Sequence, residues 1–447
     1  MALTLPYGRG TQSVDLDPGR LLAEVRILPA SALADPAEAF GQAMSAPAGP
    51  RLEDVVRRGE RVLVITVDHT RPNPSPVLRP LLERLADLGA KAELMIALGN
   101  HRAMTEGELE GFFGGGDVAG PVRPPSPCGL RRARDWTART PAAHVDPPIH
   151  QNASREPGQW RVGVTRHGSS MEVSPRLREA DRRLVVGFVE PHYIAGFSGG
   201  RKLILPGCAS RATTTHNHFL TMLHGPQLGR LVGNPMHEDM LDAADAVGVD
   251  WTCNIVVNPD DSFHSIHCGD LVAAHEAAVA ECERIYATTV PARADLVITS
   301  AGGWPYDMDM VQAKKALAPA LQCVRPGGAV ILVGECRRGW GATEPDRELL
   351  DAEAAVPARR RIEEQLARGV VERDWAACSP GALFSRVVHD VGAELLVVSE
   401  LGDELRGTYL RPAPDLPTAL RMAEEGVGTA CSVIAIRDGR RAICRVA

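Results

Sequence analysis

Residues 190–202, Glu190-Pro191-His192-Tyr193-Ile194-Ala195-Gly196-Phe197-Ser198-Gly199-Gly200-Arg201-Lys202, bring a histidine, a glycine-rich turn and a terminal Arg-Lys pair into one short stretch. Glycines in such a turn let backbone N–H groups approach a phosphate, and a basic pair can neutralise it. The histidine adds a group that moves a proton near neutral pH. The stretch follows the apolar run Leu184–Val189 and lacks the Gly-x-x-x-x-Gly-Lys-Ser/Thr spacing of a P-loop. A tight turn is the plain reading; an active-site wall built against a phosphorylated cofactor is the chemical one.

Three other stretches carry chemistry. Asp68-His69-Thr70-Arg71-Pro72-Asn73-Pro74 follows the run Arg61–Val67. The carboxyl ends of strands are where open α/β sheets bind ligands. A planar guanidinium there suits bidentate capture of a carboxylate, and Asp68 and Thr70 suit ribose or phosphate oxygens. Gly99-Asn100-His101-Arg102 follows the next apolar run and falls at the same sheet edge. His216 and His218, two apart in Thr213-Thr214-Thr215-His216-Asn217-His218, offer one metal ligand between them. His224, His237, His264, His267 and His275 have no comparable context and read as structural.

The elements that must position these residues are legible as alternating strands and helices. Arg61–Val67 reads as a buried strand. Leu78, Leu81, Leu82, Leu85 and Leu88 form one face of a helix, and Ala92–Leu98 is a second strand. Thr105 and Glu108 offer a capping box. Strand, helix, strand at this spacing implies parallel pairing in an α/β fold. Residues 114–165, rich in glycine, proline and arginine, read as a long surface excursion. Val272, Val279, Cys282 and Ile285 share a helix face, and Ala287–Arg293 reads as a linker. Strands at Asp295–Ser300, Ala329–Gly334, Glu394–Ser399 and Ser432–Arg437 then make a second α/β unit. The expected architecture is two α/β domains with largely parallel sheets and a site in the cleft between them. The first covers 1–286 and the second 287–447, with the last ~40 residues returning to the first.

Composition narrows the partners. A chain of 447 residues exceeds one ordinary core. A net charge of −7 argues against general nucleic-acid or anionic-membrane binding, and the arginines at 131–140 and 358–361 read as solvated surface. No apolar run reaches the ~18 residues of a membrane span. The ten cysteines show no Cys-x-x-Cys pair, so free thiols in a reducing, cytoplasmic setting are expected.

Taken together, Asp-His-Thr-Arg-Pro, Gly-x-His-Arg, Glu-Pro-His-(x)3-Gly-Phe-Ser-Gly-Gly-x-Lys and a following Asn-His resemble the nickel-pincer lactate racemase family. Gly302-Gly303-Trp304-Pro305-Tyr306-Asp307 followed by Gln312-Ala313-Lys314-Lys315 looks like that family's Gly-Gly-x-Pro turn and Gln-Ala-x-Lys helix. The resemblance implies an isomerase that uses nickel and a pyridinium-3,5-bisthiocarboxylic acid mononucleotide. It makes Lys202 the covalent attachment point and His218 the nickel ligand, with His216 the competitor. Asp68 and Thr70 would hold the nucleotide, and Gly199 and Gly200 would receive its phosphate. His101 and His192 would be the acid/base pair acting on opposite faces while hydride moves to the cofactor and back. Arg71 and Lys315 would hold the substrate carboxylate, with Gln312 orienting it.

The implied partners are a small 2-hydroxy acid and, transiently, cofactor-biosynthesis and nickel-insertion proteins. Two departures bear on the substrate. Val311 stands where the family carries a tyrosine, and aligning the later Phe-x-Arg segment on Phe384-Ser385-Arg386 leaves no tryptophan close by, Trp375 lying several residues too early. A pocket short of two aromatic walls and of a further cation points to an aliphatic 2-hydroxy acid larger than lactate rather than a dicarboxylate. The alternatives are a sugar-acid epimerase with the same cofactor, a racemase that abstracts the carbon-bound proton without nickel, and a non-catalytic cofactor-binding protein. Domain closure would place a hinge near residues 270–293.

Overall fold

A computed structural model describes residues 1–113, 149–152, 159–225 and 227–447. Two six-stranded sheets organise the chain. The first orders its strands Phe263–Gly269, Trp251–Val257, Arg182–Val189, Arg61–Thr66, Lys91–Ala97 and Ile149–Asn152, and all but the first pair run parallel. Its central strands read Val-Leu-Val-Ile and Leu-Val-Val-Gly-Phe-Val without polar alternation because helices cover both faces. The expected helix is Ser75–Asp87, entered where Asn73 accepts the Ser75 N–H at 2.9 Å. The capping box forms as read: Thr105 N–H donates to Glu108 at 2.8 Å and Glu108 N–H to the Thr105 hydroxyl at 3.3 Å.

The second sheet is wholly parallel, in the order Arg411–Ala413, Glu394–Val398, Val324–Val333, Ala294–Ser300, Val433–Ile436 and Leu21–Val25. Side chains alternate between its faces. Leu296 and Ile298 face a cluster with Leu3, Leu5, Val14, Leu16, Leu416 and Leu420, whereas Val297 faces the larger core.

Three boundaries differ from the sequence reading. The N-terminal hairpin Ala2–Tyr7/Gly10–Asp15 and the strand Leu21–Val25 belong with the second sheet, not with residues 26–286, because their apolar side chains close one of its faces. The linker read at Ala287–Arg293 contains the strand Ala287–Val290, which pairs in parallel with Ile443–Val446. The strand Val433–Ile436 stays in the second sheet, and the turn after it is what reaches the first unit: Arg441 bonds the Pro259 carbonyl at 2.9 Å and Asp261 at 2.9 Å. The expected excursion over 114–165 and its arginine cluster lie mostly outside the described residues. Within it, Ile149–Asn152 is an edge strand and Trp160–Val164 pairs with Ser170–Val173. No helix among the described residues is long and apolar enough to cross a membrane, and the described cysteines are free and buried.

Membership of the N-terminal hairpin in the second core is testable. Leu5→Ala, at a fully buried position, should lower stability by about 2–5 kcal/mol in urea denaturation. An unchanged midpoint would mean that the hairpin is only draped over the sheet.

Candidate active site

Parallel pairing brings the sequence motifs together. The strands ending at Thr66, Ala97 and Val189 are hydrogen-bonded neighbours running the same way, so Asp68–Arg71, Gly99–His101 and Glu190–His192 emerge at one carboxyl edge. The second sheet adds the turn after Ala294–Ser300 and the helix Met310–Ala313, whose N-cap Asp309 accepts the Gln312 N–H at 2.8 Å. That helix presents Gln312 and, one short turn on, Lys315, joined to each other by a 2.6 Å Nζ–Oε1 bond.

Asp68 is buried, and Oδ2 lies 2.6 Å from His101 Nδ1. Its other oxygen accepts the Thr70 N–H at 2.9 Å and hydroxyl at 2.5 Å. Burial pulls the Asp68 carboxyl upward, but the His101 hydrogen bond and charge, with Thr70, outweigh it and hold the group at about 2. Asp68 and Thr70 therefore bond one another and His101 rather than standing open to a nucleotide. A carboxylate on Nδ1 fixes the imidazole and leaves Nε2 to meet a substrate.

His192 is held the opposite way. Its Nδ1 accepts the N–H groups of Ala195 at 3.2 Å and Ile194 at 3.4 Å, and the ring stacks on Tyr193 with centroids 5.2 Å apart. Burial first, and then the charges of Lys202, Arg71, Lys315 and His218, push its pKa well below the usual histidine range. One histidine leans on a carboxylate; the other sits among cations. Lys202, Arg71, Lys315 and His218 are all near enough to His192 for their charges to act on it.

The glycine-rich turn is built differently from the phosphate cradle expected. Gly199 has φ +80°, and a Cβ there would stand 2.6 Å from Val189, so the loop lies directly on the sheet. The Gly200 N–H donates to Asn254 Oδ1 at 3.0 Å and is not free for a phosphate. Arg201 is buried rather than aimed at a ligand: it donates to the carbonyls of Ser198, Gly199, Ala195 and Phe197 and to His237 Nδ1 at 2.9 Å. His237 and His275 are thus structural, as read, since both pack on that guanidinium. The knitted loop aims Lys202 into the site, where burial and then Arg71, Arg201 and Lys315 push its amine down to about 7.

The two helix histidines separate cleanly. His216 is buried, with Nδ1 2.6 Å from the Ser169 hydroxyl, which also bonds Asp239. It ties the helix Arg211–His224 to the hairpin beneath. His218, on the other side of that helix, places Nδ1 2.8 Å from the Thr214 carbonyl, a donor position that leaves Nε2 free to ligate. Burial and the Lys202 charge hold His218 down at about 3, unprotonated and ready for a metal. Trp375 corrects the sequence alignment. The helix Trp375–Ser385 packs so that its indole meets His218 edge-on, centroids 6.0 Å apart, and Phe219 at 5.2 Å. One aromatic wall is therefore present.

Arg71 donates to Glu190 Oε2 at 2.7 Å, and Arg441 reaches Glu190 Oε1 at 3.1 Å. Burial raises the Glu190 carboxyl, yet Arg441, Arg71 and Arg440 together hold it at about 2. Glu190, Trp375, Tyr193, Arg440 and Arg441 were not singled out as site residues in the sequence. Glu190 and Tyr193 sat inside the stretch 190–202; the others depend on contacts between distant segments.

The lactate racemase N-terminal domain family matches residues 7–121 and 146–229, and the lactate racemase C-terminal domain family matches residues 289–444. The chain belongs to the lactate racemase family. It is 29% identical to the lactate racemase of Thermoanaerobacterium thermosaccharolyticum over 99% of both chains, and 27% identical to that of Lactiplantibacillus plantarum over 98% of both. The lactate racemase apoprotein structure from the former superposes with a TM-score of 0.78 at 26% identity over 100% of both chains. A Thermotoga maritima protein of 17% identity shares the fold, with a TM-score of 0.63 over 94% of this chain and 100% of its own. Family membership makes the chain an isomerase of the racemase class.

The depressed Lys202 amine has a direct readout. It is uncharged above about pH 7, so its acetylation, followed by peptide mass spectrometry, should rise through that pH, whereas an ordinary lysine requires about pH 10.4. A midpoint near that ordinary value would mean that the amine is solvated.

Proposed function

We propose that this chain racemises 2-hydroxy acids larger than lactate, with His101 and His192 moving the hydroxyl proton on opposite faces of the substrate. The observation that carries the reading is the unequal setting of the two imidazoles, one on the Asp68 carboxylate and one among Lys202, Arg71 and Lys315. A racemase must deliver and remove a proton on either side of one centre, and two bases with different proton affinities suit that.

Lys202 and His218 fit the attachment point and the metal of the nickel-pincer nucleotide. Lys202 offers for a covalent link an amine that burial lowers to about 7, and His218 offers Nε2 as a metal donor. Among the described residues no three His, Cys, Asp or Glu side chains gather around a metal position. The remaining donors for a metal on His218 would come from the tethered group itself, an arrangement suited to square-planar Ni(II). The chemistry such a group supplies when bound is reversible acceptance of a hydride.

The protein's own part is positioning and proton transfer. Lys315 and Arg71 hold the substrate carboxylate, and Gln312 fixes the Lys315 amine. His101, steadied through Nδ1, takes the hydroxyl proton at Nε2, and Asp68 stabilises the imidazolium that forms. The 2-oxo acid turns, and His192, unprotonated at rest, takes a proton from solvent and passes it to the oxygen from the other side while His101 releases the proton it took. The opposite enantiomer uses the pair with roles exchanged. Val311 in place of an aromatic side chain leaves room beyond a methyl group, while Trp375 keeps the wall beside His218.

Protein produced together with the cofactor-making proteins should interconvert 2-hydroxy acid enantiomers in a chiral assay. His101→Ala and His192→Ala should each lower the rate by about 100-fold or more. In heavy water the product should keep the hydrogen at its reacting carbon; wash-in of deuterium there would overturn hydride transfer and favour proton abstraction.

A further inference from the structure

The turn joining Val433–Ile436 to Ile443–Val446 carries two adjacent arginines in opposite circumstances. Arg441 is satisfied at both terminal nitrogens, which bond Pro259, Asp261 and Glu190, and lacks a partner only at Nε. Arg440 is not. Its Nε and Nη2 are buried and have no hydrogen-bond partner among the described residues. The guanidinium sits over Tyr306, with Cζ 3.6 Å from the ring centroid. Nε and Nη2 form one edge of a guanidinium, and their parallel N–H groups match the two oxygens of a carboxylate or phosphate. The nearest carboxylate in sequence, Asp438, does not take that edge; its own Oδ1 is buried without a partner, and it stands 3.3 Å from where a Cβ on Gly302 would lie.

The Arg440 charge acts on groups of the active site. After burial, its charge is the largest influence depressing Lys315, and it also acts on Glu190. Lys202 responds instead to Arg71, Arg201 and Lys315. Arg440 directly precedes Arg441, which reaches Glu190 Oε1 at 3.1 Å, and Glu190 in turn bonds Arg71, so the turn sets Arg440 next to that pair. The sequence argument for an aliphatic substrate assumed that no further cation faced the pocket, and Arg440 is such a cation.

We propose that the Nε–Nη2 edge of Arg440 is a second oxyanion subsite beside Lys315, and that it receives a second carboxylate on the substrate. The preferred substrate is then a 2-hydroxy dicarboxylate. The substrate clause rests on the 2-hydroxy acid reading above; the oxyanion site stands without it. A monocarboxylate would leave two buried donors unpaired, and sites built to hydrogen-bond a group discriminate strongly against analogues that lack it. The other source of the same chemistry is the phosphate of a nucleotide cofactor.

Calorimetry on the chain without cofactor separates these cases, using malate, 2-hydroxybutyrate (a methyl in place of the distal carboxylate) and inorganic phosphate. Wild type should bind malate about tenfold or more tightly than 2-hydroxybutyrate. Arg440→Gln should erase that preference, with malate losing about tenfold more affinity than 2-hydroxybutyrate. Arg440→Lys, which keeps the charge but not the fork, should retain part of it, and its melting curve controls for folding. Equal affinity of wild type for malate and 2-hydroxybutyrate would overturn the dicarboxylate assignment. So would an Arg440→Gln chain that loses phosphate binding and covalent cofactor retention while its malate binding is unchanged. Because binding is read without turnover, a failure here is distinguishable from a failure of the racemase reading itself.

Discussion

A single buried carboxylate lets the two halves of this molecule share a site. Glu190, at the end of a central strand of the first sheet, is held between Arg71 of that sheet's edge and Arg441 from the last turn of the second. Removing one partner of such a buried pair costs about 3–5 kcal/mol, because the other charge is left uncompensated. Arg71, Lys315, Arg440 and Arg441 act on Glu190, and Lys202 in turn responds to Arg71 and Lys315, more positive groups than negative ones. Part of that excess is relieved by depressed amines, Lys202 at about 7 and Lys315 at about 8, each lowered first by burial. The remainder is an electrostatic vacancy suited to anionic ligands.

The loop carrying Lys202 shows how the scaffold supports the chemistry. Gly196, Gly199 and Gly200 all take positive φ, which lets the chain fold tightly against the strand behind it. The buried Arg201 side chain then satisfies the carbonyls that the turn would otherwise leave bare. In a run of two basic residues, one is thus a strut and the other a reactive amine. The histidines divide the same way: His216 fastens a helix, and His218 two residues on faces the site.

Much of this was legible in sequence. Runs such as Val62–Ile65 and Leu184–Val189 announce buried parallel strands, and residues just past parallel strands must be neighbours. Asp68, Arg71, His101, His192 and Lys202 could be gathered on that ground alone. What could not be read depends on pairings without local signal. Leu21–Val25 joins a strand more than 400 positions away, between Val433 and Ile436, and nothing in its composition names the partner. Trp375 reaches His218 only through helix packing. The Gly200 N–H, a phosphate donor by its motif, is occupied by Asn254, and Arg440 lacks a partner along its whole Nε–Nη2 edge where Arg441 lacks one only at Nε.

The central claim is that Lys202 carries a covalent group whose metal is completed by His218. Intact-mass and peptide mapping of protein made alongside the cofactor-producing proteins, combined with nickel analysis, tests it most directly. The account requires an added mass located on the peptide containing Lys202, nickel in stoichiometric amount, and loss of the metal but not of the adduct in His218→Ala. An unmodified Lys202 in a chain that still racemises its substrate would contradict it.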